Sequence, residues 1–419
     1  MSKHPARLCS PRYPSMALAM LSGMIFLPQA VAAQEPAEGV SPLDLPRKGY
    51  EPKGIRVGTT MIALSADLTA LYDSNVYATS TDERADVLFV AAPRIDANSD
   101  FGHLQLHSQM YASIRQYIDE TTENATSFGL GAGGNYSISR AHSLRANVQY
   151  DRAIERRADP EARGGRLDPP RKIDIPQAEI GYNFEGNRIG IDAEAAVQRF
   201  DYRAADDADR DMTAYRASLG STLRLSAPLN VFVQAYVTRR DFDTVADISG
   251  VDRDATTYGI LAGVRRDLST KLRGRVGVGV FRMNPADPSL SAFTGIAANG
   301  EVIWSPQPRT AVTFQVFRGD VATVRAGASG RIDSRATIRV DQEVRHNIIM
   351  HAVASYRDTT YRGLSTRNLK TLSGEIGAEY LLNRHMSAFA TASYTSRDAD
   401  LALDRFDRGI VGIGLRLRY

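Results

Sequence analysis

The chain has one cysteine in 419 residues, Cys9. With no second thiol, disulfides are excluded, and so are thiolate metal clusters. No run of twenty apolar residues occurs outside the N-terminus, which excludes a helical membrane protein. The net charge is only +3 with 24 % charged residues, so no strong field draws the chain to nucleic acid. Histidine is scarce as well. His103 and His107 share a strand face, but four strand residues separate them by roughly 13 Å, too far to chelate one metal. His142, His346 and His385 fall at turns. No Ser-His-acid arrangement can be argued from spacing. The expectation is a protein that is not an enzyme, with no catalytic residue, no metal site and no cofactor.

What is present begins with a leader. Lys3, Arg7 and Arg12 precede an apolar stretch from Met16 to Leu27, and small residues 30–33 follow. This predicts a secretory signal peptide over 1–33, cleaved between Ala33 and Gln34, and Cys9 leaves with it. Residues 34–60, punctuated by Pro36, Pro42, Pro46 and Pro52, read as a periplasmic N-terminal extension. From 61 to 419 one pattern repeats: segments of about ten to fifteen residues alternate apolar with polar or small side chains, the two-residue period of a strand.

The last segment shows the pattern most plainly. Val411, Ile413, Leu415, Leu417 and Tyr419 share one face, opposite Gly412, Gly414, Arg416 and Arg418. An apolar stripe ending on an aromatic residue is how bacterial outer-membrane barrels commonly close, and the stretch is taken as the strand read by the barrel assembly machinery. Upstream, Ile332, Ala336, Ile338 and Val340 oppose Arg331, Asp333, Arg335, Arg339 and Asp341. Leu372, Ile376, Ala378 and Tyr380 oppose Glu375 and Glu379. About eighteen segments occur, sixteen being the alternative count. Their connections alternate between tight turns and long polar loops, among them 153–175, 319–329 and 359–369. That parity marks an outer-membrane barrel and is foreign to a soluble sandwich.

The fold class expected is therefore all-β: a transmembrane antiparallel up-and-down β-barrel with both termini periplasmic, in the outer membrane of a Gram-negative bacterium. In lipid every backbone group must pair round a closed ring. Apolar faces then point outward and charged faces inward, where water in a wide barrel solvates them. The lumen candidates are Arg115, Arg273, Arg275, Arg335, Arg339, Asp192, Glu194, Glu375 and Glu379. Whether they set selectivity or brace the wall is open at this point. Trp304, Tyr136, Tyr182, Phe184 and Tyr419 fall where an interfacial girdle belongs. Gly129, Gly131, Gly133 and Gly134 resemble a phosphate loop, but no helix follows, so small residues on a barrel strand are the better reading.

One stretch carries a more specific likeness. It reads Tyr50-Glu51-Pro52, then Gly54, Ile55, Arg56 and Gly58, and after an alternating strand Tyr72-Asp73-Ser74-Asn75-Val76-Tyr77-Ala78-Thr79. This resembles the N-terminal motif of the outer-membrane family called β-barrel porin 2, with Ser74 where a second Asp is usual. The departure weakens any paired-carboxylate ion site there. The resemblance implies a porin-like conduit involved in exopolysaccharide or capsule export. The alternatives are a general or substrate-specific porin for small solutes and a non-conducting structural or adhesin barrel. Partners expected are outer-membrane lipid and lipopolysaccharide, the barrel assembly machinery and periplasmic polysaccharide-export components, with no nucleic acid.

Overall fold

The computed structural model describes residues 47–419 except 164–165, 227–228, 267–270 and 365. The expected signal peptide with its Ala33–Gln34 cleavage site, the extension up to residue 46, and the turns at Ala227-Pro228 and Leu268-Ser269-Thr270 lie outside the described residues. The strands are β1 (Ile55–Val57), β2 (Thr60–Asp73), β3 (Asp86–Asp100), β4 (Leu104–Tyr117), β5 (Ala125–Ser137), β6 (His142–Ile154), β7 (Lys172–Glu185), β8 (Ile189–Tyr202) and β9 (Met212–Ser226). They continue with β10 (Leu229–Phe242), β11 (Ala255–Arg266), β12 (Leu272–Pro285), β13 (Phe293–Gln307), β14 (Thr310–Val321), β15 (Ala328–Arg345), β16 (Ile348–Gly363), β17 (Arg367–Leu381), β18 (Met386–Ala399) and β19 (Phe406–Arg418).

From β2 to β19 each strand pairs antiparallel with the next, and β19 pairs with β2, so eighteen strands close into a ring. Closure removes every sheet edge that lipid would leave unsatisfied. Large apolar side chains dominate the outside: Met110, Val148, Leu219, Val278, Ile296, Ile376 and Ile413 are all exposed. A belt of that extent is an aggregation surface in water and the expected surface in a bilayer. Trp304, Tyr136, Tyr380 and Tyr419 are exposed on the outer wall near the tight-turn end. His142 lies there too, hydrogen-bonded to the Tyr182 hydroxyl at 2.7 Å and tilted against the Phe184 ring 4.8 Å away.

The last residue pairs with Leu64 through both its N–H and its C=O. Below that point β2 would be bare, and β1 covers it, with Ile55 opposite Ile62 and Val57 opposite Thr60. β1 and its turn onto β2 thus fall inside the stretch 34–60 expected as a periplasmic N-terminal extension. Further back, Arg47 is buried beside Glu343 of β15, 3.6 Å away, and Tyr50 meets the His346 ring edge-on.

At the other end two expected loops are partly strand, 359–369 more so than 319–329. β14 runs to Val321 and β15 starts at Ala328, while β16 runs to Gly363 and β17 starts at Arg367, so both ends of the expected loops 319–329 and 359–369 are extensions of β14 to β17. The first extension leaves the ring. β13 and β14 pair only from Ala298–Arg318 toward the turns, whereas β14 and β15 stay paired out to Val321–Arg331. Beyond Arg318 the β14–β15 hairpin therefore bends into the lumen. Ala336, Ile338 and Val340 face outward as expected, but Ile332 does not. It is buried with Leu261, Phe281 and Ala297 on the inner wall of β11–β13. Ala322 and Val324 at the hairpin tip join Ile175, Phe200, Met212 and Phe242 on the inner wall of β7–β10. Apolar inner faces, useless to a water-filled pore, are what the hairpin covers.

Candidate functional site

Every lumen candidate lies on the inward face of its strand. Glu194 and Glu179 share the Arg145 guanidinium at 3.1 and 3.0 Å. Asp192 sits one inward position along from Glu194 on β8, beside Gly220 of β9. Glu375 meets His351 at 3.2 Å. Glu379 binds Ser387 at 2.6 Å and pairs with Arg416, which also bonds Asp67 at 2.7 Å. Arg339 pairs with Asp341, and Arg275 lies 3.9 Å over the Phe232 ring. Arg273 follows Arg275 toward the turns, and Arg335 stands in register with Phe317 and Arg357. Arg115 projects from β4 beneath the 155–171 loop. The assembly residues Val411, Ile413, Leu415, Leu417 and Tyr419 are exposed on the outer wall.

Aromatic side chains on the inner wall lie flat across glycines of the neighbouring strand. A Cβ on Gly295 would sit 2.5 Å from Phe281, and one on Gly259 would sit 2.2 Å from the hydroxyl-bearing carbon of Tyr236. The glycines of β5 belong to the same device: Tyr111 covers Gly129 and His107 covers Gly133. Flat rings keep the bore wide. Gly259→Val should swing Tyr236 into the lumen, cost about 1–3 kcal/mol by overpacking, and lower the single-channel conductance. Unchanged conductance with a folded barrel would show that this wall does not border the path.

The 155–171 loop between β6 and β7 crosses the lumen. β15 is nine strands from β6, half the ring, yet Glu161 of the loop accepts 2.7 Å from Arg331 of β15. The same carboxylate accepts from the Val324 N–H at 2.8 Å and the Thr323 hydroxyl at 3.0 Å, both on the inward hairpin. Tyr361 of β16 donates to the Pro160 carbonyl at 3.2 Å, and Arg397 of β18 to the Ala158 carbonyl at 2.5 Å. On the near side Arg210, fully buried, binds Glu155 and the Glu161 carbonyl, while Arg163 forks onto Asp209 at 2.8 and 2.9 Å. Arg157 holds Glu123 at 2.6 Å. The Asp159 carboxyl is pushed up by burial, partly offset by Arg331.

The 243–254 loop completes the cap. Asp247 accepts N–H bonds from Gly327, Ser249 and Val251 at 2.7, 2.7 and 3.2 Å. Burial alone would raise its pKa, but these bonds and the Ser249 hydroxyl hold it below the usual carboxylate range. The space left beside loop and hairpin is divided into cavities of about 110, 210 and 230 Å³. None of Glu161, Asp209, Arg210, Asp247 or Arg331 stood out as a cap residue in the sequence. Their signal was only a long loop with alternating charges.

Of the motif, the stretch from Gly54 to Asn75 runs along the seam between first and last strands, whereas Tyr50 meets His346 after β15 and Tyr77 reaches Glu120 after β4. Gly54 and Gly58 bracket β1 in the left-handed region, φ +64° and +61°, which favours glycine. Pro52 precedes Gly54, and Arg56 pairs with Met61. At the opposite end Tyr72 faces outward and Asp73, almost fully buried, binds Arg408 at 2.9 Å. Ser74 exchanges bonds with Gly409 at 2.9 and 2.8 Å. The Asn75 amide, wholly buried, donates to the Thr79 and Asp407 carbonyls at 2.8 and 2.9 Å. The Tyr77 hydroxyl donates to Glu120 at 2.8 Å. Among the described residues no group of three or more His, Cys, Asp or Glu could hold a metal ion.

A closed eighteen-strand ring, apolar outside and charged inside, with one loop folded across its bore, defines a porin-like β-barrel. The chain belongs to the family described as "Putative beta-barrel porin 2", whose model matches residues 47–419. No curated protein sequence matches it. Among solved structures it is similar to the apoprotein form of the FrpB iron transporter from Neisseria meningitidis, at 12% identity and TM-score 0.48. The match covers 83% of this chain and only 62% of that longer chain. It is similar also to OccAB3 of Acinetobacter baumannii (8% identity, 87% and 100% coverage, TM-score 0.47) and OccK2 of Pseudomonas aeruginosa (12%, 88% and 99%, 0.45).

Proposed function

We propose that the chain is an outer-membrane conduit for hydrophilic solutes, with the tight-turn end in the periplasm and the loop-bearing end outside. The observation that carries this reading is the loop across the bore. A barrel meant only to scaffold the membrane has no need to order its longest loop inside a polar lumen, whereas a conduit gains a constriction there. Short turns on one side and longer connections on the other support the orientation. No step in this function is chemical, and no cofactor enters it.

The cargo that the family resemblance favours is exopolysaccharide, or saccharides derived from it. With loop and hairpin seated, the free volumes suit single small solutes. Export of a polymer requires both elements to move aside, which makes a periplasmic export component the expected partner. The test is single-channel conductance of the refolded mature barrel with and without soluble exopolysaccharide. Discrete steps interrupted by the polymer are expected. Steps indifferent to the polymer, with normal polymer secretion in a deletion strain, would reduce the protein to a small-solute porin. Absence of conductance would sink the conduit reading itself.

A further inference from the structure

Between β13 and β14 the barrel wall divides. Their last shared rung is Ala298–Arg318, yet both strands run on beyond it. β13 stays on β12 up to Met283–Phe293, and β14 stays on β15 up to Val321–Arg331. Two intact ladders thus separate like the limbs of a fork, one continuing in the wall and one passing behind it. Ile296 and Val316 flank the fork on the outside, both exposed. Arg318 at its base turns outward onto the Ser334 hydroxyl.

Behind the fork lies the lumen cavity of about 230 Å³. Ala297, Ala298 and Asn299 of β13 and Phe317, Arg318 and Gly319 of β14 line it, so it reaches the fork from inside. Its far wall is amide: Asn147, Gln149, Gln177 and Gln198. Gln198 donates to Gln177 at 3.3 Å and Gln149 to Asp151 at 2.7 Å. A primary amide has two N–H donors and an acceptor oxygen, so most of that capacity is left for a solute. The charges around the cavity balance. Arg145 holds Glu179 and Glu194 at 3.0 and 3.1 Å, Arg216 adds a second cation beside those two acids, and Arg240 holds Asp320. Such a wall suits an uncharged group rich in hydroxyls. Next to it the inner wall turns apolar, with Leu261, Phe281 and Ala297 edged by Tyr236 and Phe293, and Ile332 of the hairpin seated on them. A polar chamber, an apolar strip and a division of the wall therefore meet at one place.

We propose that the β13–β14 fork is a lateral portal, through which an amphiphile with an uncharged, hydroxyl-rich head and a hydrocarbon chain passes between lumen and membrane. Carrying such a head through hydrocarbon is costly, because its hydroxyls lose their hydrogen bonds. At the fork head and chain each keep a suitable surface. The head meets the amides of the cavity, and the chain follows across Leu261, Phe281 and Ala297 once Ile332 lifts from them. The portal goes beyond the conduit reading and does not need it: a barrel that passes no ions along its axis can still admit a lipid through its wall.

The test is optical and independent of any current. Trp304 is the sole tryptophan of the chain, so a Trp304→Phe barrel can carry one reporter at a chosen place. Tyr236→Trp puts it beside the fork, with Phe281→Trp as a second reporter on the same strip should the first fail to fold. Phe389→Trp, on the inner wall of β18 under Arg416, is the control away from the fork. Each barrel is refolded into vesicles containing a glucosyl diacylglycerol brominated along its acyl chains, which quenches tryptophan on contact. The reporter at 236 or 281 should lose most of its fluorescence and the one at 389 little. Ile332→Ala, which vacates the apolar strip, should deepen the loss at 236 and leave 389 as it was. Equal losses at 236 and 389 would show entry through the mouths or quenching across the wall, and would overturn the portal. So would unquenched reporters at both 236 and 281 with Ile332→Ala in place. Deeper quenching by brominated phosphatidylglycerol than by the glucosyl lipid would overturn the uncharged head.

Discussion

Glu161→Ala is expected to turn brief, small conductance steps into large, long-lived ones. The Glu161 carboxylate is the joint between loop and hairpin, accepting from Arg331, Thr323 and the Val324 N–H together. Arg331 is fully buried. Removing the acid leaves that cation with Asp333, 3.6 Å away, as its ion-pair partner among the described residues. Uncoupling a buried ion pair from one side costs about 3–5 kcal/mol. At 1.4 kcal/mol per tenfold, the seated state would lose roughly two orders of magnitude or more against the displaced one. Glu161→Gln, which keeps acceptor oxygen without charge, should fall between. Steps of wild-type size in Glu161→Ala, from a barrel that still shifts on heating in gel electrophoresis, would show that the loop is held by its other contacts.

The second large effect belongs to the seam. Asp73→Ala should lower the temperature at which the barrel unfolds in detergent, because Arg408 is left without its partner at the junction of first and last strands. The cost expected is again about 3–5 kcal/mol. Asn75→Ala should act in the same direction, since the wholly buried amide bridges the Thr79 and Asp407 carbonyls. Tyr72→Phe, one residue before Asp73 on the exposed outer face, is the control and should change little. Heat-modifiable mobility read over a temperature series separates these outcomes. If Asp73→Ala melts with the wild type, the seam is held by its backbone ladder alone.

The contrast between what the sequence told and what it hid follows from the range of each signal. Alternation is local, so Val411 to Tyr419 and Ala336 to Val340 could be assigned to the outer face and Arg335, Arg339 and Glu379 to the inner one. Alternation states which face a residue is on, but not whether its strand is still in the ring. Ile332 obeys the pattern and is nonetheless inside, because the hairpin that carries it has turned through the wall plane. The 155–171 loop was equally opaque. A lumen full of water solvates a charged loop as the exterior does, so its composition was compatible with either place. The residues Tyr72 to Thr79 were recognised as a family motif without a reason for them. The reason lies in Asp407, Arg408 and Gly409, more than three hundred positions away, which no periodicity connects to Asp73 or Asn75.

The early parting of β14 from β13 bears on the membrane around the barrel. Phe293 to Ala297 have no β14 partner, and hydrocarbon does not tolerate a bare strand edge. On that flank the hydrocarbon must therefore end near the level of Ala298 and Arg318. From there to Trp304 is about seven residues, which in a tilted strand rise only about 15–20 Å, against about 25 Å for a usual outer-membrane band. The bilayer is pinched on one side of the molecule. Thinning costs fractions of a kcal/mol per Å, and two barrels that meet along their pinched flanks share one deformation in place of two. The bend that narrows the bore thus also sets where the hydrocarbon ends on that flank.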